Sequence, residues 1–131
     1  MFGSFDISVS ALTAQRTRMD TIASNTSNFN AHLKDGTPYR RLFTVFESQR
    51  TADGGAGVRV AKILEDHQTP FRMVREPGHP YADAQGFVKY PNVDLATEQI
   101  NSIETYRAYE ANITAIEATK SMMNSTLRLL A

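Results

Sequence analysis

The side chains best suited to acid–base or metal chemistry in this chain are its three histidines, His32, His67 and His79. Imidazole changes charge near neutral pH and ligates transition metals. None of the three stands four residues from another, and the chain has no cysteine, so the spacings of a zinc site are missing. Glu65-Asp66-His67 could hold an ion or exchange protons as a cluster. It reads better as a solvated polar turn between two strands. His79 lies in Gly78-His79-Pro80, a rigid turn able to present its ring at a contact with another subunit. Tyr39-Arg40-Arg41 and Phe71-Arg72-Met73-Val74-Arg75 mix cations with aromatic rings. On a chain with 14 basic and 14 acidic residues, two small patches suit acidic partner surfaces better than nucleic acid. The glycines of 51–57 precede no Lys-Ser/Thr pair, which argues against a phosphate loop. No catalytic, cofactor-binding or metal site is therefore expected, and the chain does not read as an enzyme.

The elements around these residues point to assembly. Leu95 to Leu130 carries apolar side chains at Ile103, Tyr106, Tyr109, Ile113, Ile116, Met123, Leu127 and Leu130 in steps of three and four, with no proline or glycine. A helix of that length would run about 50 Å, roughly twice the diameter of a compact domain this size. Ser4 to about Asn28 predicts a second helix, with Phe5, Val9, Leu12, Met19 and Ile22 on one side. Ser4 is its expected N-cap, with Asp6 in the first turn. It should end in the polar run Ser24-Asn25-Thr26-Ser27-Asn28. Two terminal helices with one apolar side each predict an antiparallel coiled coil.

Between them the pattern changes. Tyr39–Gln49 and Val58–Leu64 read as strands, with shorter ones at Phe71–Val74 and Phe87–Tyr90. Thr51–Gly57 reads as a hairpin loop, and Glu76–Gly86 is turn-rich. Asn92 or Asp94 should cap the long helix, with Glu98 near its positive end. The fold class is thus α+β: an N-terminal helix over 1–29, a loop and small β-rich insert over 30–91, and a long C-terminal helix over 92–131. No apolar run approaches the roughly 18 residues needed to span a bilayer, and the N-terminus lacks the pattern of a cleavable signal.

Particular motifs add a resemblance. Ser10-Ala11-Leu12-Thr13-Ala14-Gln15, Arg18-Met19, Ile22-Ala23-Ser24-Asn25 and Asn28 are similar to the N-terminal signature of the bacterial flagellar axial proteins of rod and hook. Arg107-Ala108-Tyr109-Glu110-Ala111-Asn112 and Lys120-Ser121-Met122 resemble their C-terminal signature. Gly57-Val58-Arg59-Val60, Glu76-Pro77-Gly78-His79-Pro80, Gly86-Phe87-Val88 and Pro91-Asn92-Val93 look like the proximal-rod branch. Asn28-Phe29-Asn30-Ala31-His32 departs from the family's usual continuation after the first helix.

The resemblance implies a structural subunit of the basal-body rod, exported through the flagellar type III apparatus without a cleaved signal and polymerised in the periplasm. Its partners would be its own copies and other rod proteins, with no nucleic acid. The expected assembly surface is Phe5, Val9, Leu12, Met19, Ile22, Asn25 and Asn28 on the first helix, with Tyr109, Asn112, Ile113, Ile116, Met123, Leu127 and Leu130 on the last. Alternative readings are another proximal-rod subunit or, from periodicity alone, a coiled-coil adaptor or chaperone.

Overall fold

A computed structural model describes residues 2–50 and 54–131, without the side chain of Phe2. Thr51–Asp53 of the expected hairpin loop lie outside the described residues. Helix α1 runs Phe2–Ser27 and helix α2 runs Leu95–Leu130. Between them lie β1 (Leu42–Arg50), β2 (Ala56–Glu65), β3 (Arg72–Arg75) and β4 (Phe87–Tyr90).

Helix α1 begins earlier than its side chains suggest. Ser4 sits inside the first turn rather than capping it, and no acidic residue lies in that turn. The far end behaves as its polar run predicts. The Asn28 amide and its side-chain Nδ2 both donate to the Ser24 carbonyl, at 3.0 and 2.8 Å, and the chain leaves the helix there. Asp94 caps α2, its carboxylate accepting from the Ala96 amide at 3.1 Å and from the Thr97 hydroxyl at 3.0 Å.

The insert is two antiparallel ribbons rather than one sheet. β1 pairs with β2 along its length, with a bulge where Val45 faces Lys62 but Phe46 faces Val60. β3 pairs with β4, Arg72 opposite Tyr90 and Arg75 opposite Phe87. Helix α1 packs on α2 and on both strands of the first ribbon. Ser10 clasps the ribbon to the helix: its hydroxyl donates to the Ile7 carbonyl at 2.8 Å and accepts from the Val58 amide at 3.0 Å. A Cβ on Gly57 would lie 2.7 Å from that hydroxyl, so only glycine lets the strand come so near. The β3–β4 ribbon packs on no other element among the described residues and is held by the loop that leaves α1.

The helices run antiparallel. Asn25 meets Glu98 and Arg18 meets Glu104, so seven residues back along α1 correspond to six forward along α2. Extended at that rate, the start of α1 falls opposite about residue 118 of α2, and about the last twelve residues of that helix, ~18 Å, project beyond it. On the α2 side, the face buried between the helices is not the apolar one. On α2 it repeats every seven residues as Glu98, Thr105, Asn112 and Thr119, all buried except the half-buried Asn112. On α1 the buried residues are Ser8, Ala14, Thr21, Ile22 and Asn25, shared between α2 and the first ribbon: Ile22 lies beside Glu98 and Ser102 of α2, and Ala14 beside Val58 and Val60 of β2. Small and polar side chains bring the two backbones close, and the large apolar ones are left on the flanks. The apolar interior is correspondingly thin: Ala14, Ile22, Val88 and Val93 are its buried members.

Candidate assembly interface

The site begins with a buried polar knot where α1, α2 and the first ribbon meet. Asn25, 1 % exposed, closes it from α1. Its Oδ1 accepts from the Leu42 amide at 2.8 Å and from the Tyr39 hydroxyl at 3.0 Å. Its Nδ2 donates to the Leu42 carbonyl at 2.8 Å and, at 3.4 Å, to the Glu98 carboxylate. One amide side chain thus satisfies both backbone groups of the first residue of β1. Glu98, also 1 % exposed, receives the Arg41 Nε–H on its other oxygen, so the buried carboxylate is paired and hydrogen-bonded. The Arg41 amide donates to Asn92 Oδ1 at 2.8 Å. Asn92 Nδ2 in turn donates to the carbonyls of Asp66, at 2.9 Å, and Thr69, at 3.1 Å. Asn92 therefore ties the insert to α2 and leaves the capping to Asp94.

The candidate acid–base cluster does not converge. His67 pairs with Glu65 at 3.3 Å, both well exposed. Asp66 turns the other way, accepting from the Thr69 hydroxyl at 2.7 Å and from the amides of Thr69 and Gln68, each at 3.0 Å. The Thr69 hydroxyl and amide, then the Gln68 amide and Arg41, hold its carboxyl below the usual range of aspartate. Among the described residues no cluster of three His, Asp or Glu side chains could hold a metal ion.

The arginines expected to face acidic partners are largely spent inside the chain. Arg40 lies 4.3 Å over the Phe71 ring and donates to the Asp66 carbonyl at 3.1 Å. Arg72 stacks on Phe29 at 4.0 Å and donates to the Phe29 carbonyl at 2.9 Å and the Pro91 carbonyl at 3.1 Å. His79 sits in an aromatic cluster of the same chain, with His32, Tyr81 and Tyr90.

The residues expected on the assembly surface divide in two. Asn25 and Ile22 are buried within the chain, and Asn28 binds back to its own helix. Leu12, Met19, Tyr109, Asn112, Ile116 and Met123 are half-buried along the helix pair. Phe5, Val9 and Ile113 stand exposed beside it. Leu127 and Leu130, 63 % and 79 % exposed, lie on the projecting end of α2. The offset of the helices leaves Leu127 clear of Phe5, Val9 and Leu12 of the same chain. The expectation missed Ile7, Ile100, Met122 and Leu129, which are also exposed. On α2, Ile100, Met122 and Leu129 project from one flank while Tyr106 and Ile113 project from the other, as a turn of about 100° per residue dictates. A helix apolar on both flanks of an occupied seam has the surface of a buried helix.

Comparison with known proteins places this architecture. A family profile described as "Flagella basal body rod protein" matches residues 5–31, and one described as "Flagellar basal body rod FlgEFG protein C-terminal" matches residues 84–129. The "Flagellar basal-body rod protein FlgC" of Escherichia coli O157:H7 is 46 % identical over 128 residues, covering 95 % of this chain and 94 % of that protein. The chain belongs to the FlgC family of flagellar basal-body rod proteins. The FlgC of Bacillus subtilis (strain 168) is 40 % identical, covering 98 % and 97 % of the two chains, and that of Aquifex aeolicus (strain VF5) is 38 % identical, covering 96 % and 94 %. The two terminal segments matched by the profiles take in most of α1, the first residues after it, β4 and nearly all of α2. They hold both sides of the helix pair, the exposed flanks, and Asn25, Asn92 and Glu98 of the knot, whereas its members Tyr39, Arg41 and Leu42 lie between the two matches.

Proposed function

We propose that the chain is a structural subunit of the proximal rod, polymerising with its own copies and with other rod proteins to carry motor torque and line the export channel. The observation that supports this most is that the large apolar side chains of α2 lie outside its own seam, on two flanks and a projecting end. Three or more apolar surfaces on one exposed helix cost free energy in water and are offset only when neighbours cover them. Seven-residue repetition in the seam supports coiled-coil packing of the terminal helices. No helix among the described residues is long and apolar enough to cross a membrane, in keeping with a rod subunit in the periplasm. Family membership supports delivery through the flagellar export apparatus.

The test is a strain deleted for this gene. It should lack complete basal bodies and fail to swim, and this chain supplied in trans should restore swimming and be recovered in purified basal bodies. Swimming by the deleted strain, or restored swimming with the chain missing from basal bodies, would overturn the assignment.

A further inference from the structure

The β3–β4 ribbon and its turn meet the loop after α1 at two imidazoles, His32 and His79, whose rings touch and whose hydrogen bonds demand different things of a proton. The His32 Nε2 lies 2.7 Å from the Lys89 carbonyl, which can only accept, so that nitrogen carries hydrogen. The His79 Nδ1 lies 3.1 Å from the Tyr81 amide, which can only donate, so that nitrogen must offer its lone pair. His32 keeps its bond whether neutral or charged. His79 keeps its bond only while neutral, with its proton on Nε2.

Charges of both signs stand around the two rings. The two imidazole rings are 5.6 Å apart, centre to centre. From β3, the Arg72 guanidinium lies 5.5 Å from the Tyr90 ring that both imidazoles touch, and Lys89 of β4 adds another cation. The nearby carboxylates keep their charge, but the hydrogen bonds recorded for them go to groups other than the imidazoles. Glu76 accepts from the Tyr90 hydroxyl at 2.8 Å, Asp83 from the Gln85 and Phe87 amides at 2.9 and 2.8 Å, and Asp35 from the Thr37 amide at 3.0 Å. The same turn is seated through Tyr81, whose ring lies where a Cβ on Gly36 would come within 2.7 Å of it. Gly36 has φ +84°, so this close seat needs glycine for its backbone as well as for its space. Losing the Tyr81 amide bond therefore loosens the residue that docks the turn on the loop.

We infer that residues 76–86 and the loop 29–38 form a proton-sensitive latch, closed by neutral His79 and released when it takes a second proton. The helix pair and the polar knot contain neither histidine, so release is confined to the β3–β4 ribbon and its seat.

Nuclear magnetic resonance on the full chain tests this. At about pH 8 the His79 ring should show the Nε2–H tautomer. Between about pH 8 and pH 5, where histidine takes up charge, protection of the Tyr81 amide from hydrogen exchange, corrected for intrinsic rate, should fall about tenfold, the worth of one hydrogen bond. Protection of the Leu42 amide should hold. His79→Asn places an amide oxygen near the Nδ1 position and should keep Tyr81 protected with no pH response. An Nδ1–H tautomer at high pH, a flat Tyr81 profile, or an unchanged pH response in His79→Asn would each overturn the latch. Should that variant fail to fold, the tautomer and the profile of the unaltered chain still decide.

Discussion

Asn25 satisfies four partners from one helix position, and two of them are the backbone groups of Leu42. Asn25→Ala would leave the Leu42 amide and carbonyl, the Tyr39 hydroxyl and one side of Glu98 without it. An unsatisfied buried polar group costs about 1–3 kcal/mol, so the variant should lose about 3 kcal/mol in urea denaturation. A loss under about 1 kcal/mol would mean that water fills the gap without strain. Asp66 carries a pH dependence of known sign. Its folded carboxyl is held below the ordinary aspartate value, so it stabilises the fold above that value and the contribution fades as pH falls through it toward the lower folded one. Thr69→Val removes the largest cause, and the acid side of its stability profile, measured by denaturation between about pH 5 and pH 2, should be flatter than that of the parent. Little of this was legible in the residues themselves. Glu98 is correctly a first-turn acid of α2, yet its main partner is Arg41, 57 positions away. Spacing along a helix shows which side a residue faces but not which distant strand brings a cation to it.

At the scale of elements the sequence is read more easily, because hydrophobic period and turn residues act locally. The four expected strands fall within three residues of β1 to β4, and α2 matches the span read from its periodicity. The start of α1 was misjudged because Ser4 has the chemistry of a cap without the position of one. The seam is harder to read from periodicity. Apolar periodicity marks a face that will be buried by something, and spacing alone does not say how much of it the partner helix covers and how much another copy would. The most deeply buried positions of the helices include the small or polar Ala14, Asn25, Glu98, Thr105 and Thr119. Small residues at such places leave no room to spare: Ala14, 2 % exposed, lies beside Val58 and Val60 of β2, and Ala14→Leu would overpack that site. It should cost about 1–3 kcal/mol in thermal or urea melts. By contrast Arg59→Ala removes an exposed pair with Glu47 across the first ribbon and should change stability by less than about 1 kcal/mol.

For the whole molecule the decisive comparison is between the isolated chain and the assembled one. Leu127 is exposed in the single chain, so Leu127→Asp should alter monomer stability by no more than about 0.5 kcal/mol. In an assembly that covers the residue, the same change buries a charge without a partner in every copy. Normal expression, an unchanged monomer melt and loss of swimming together are the expected result. Normal swimming at ordinary protein levels would remove α2's projecting end from the contact surface. Because the two helices are offset, any column of these subunits stacked along their axes also has unlike ends. One end presents a lone helix tipped with leucines; the other presents the knotted junction of both helices with the insert. An incoming copy meets different chemistry at each end, so the on- and off-rates of growth need not match between them. Direction is thereby written into the subunit itself: the offset gives the column a growing polarity before any other component acts on it.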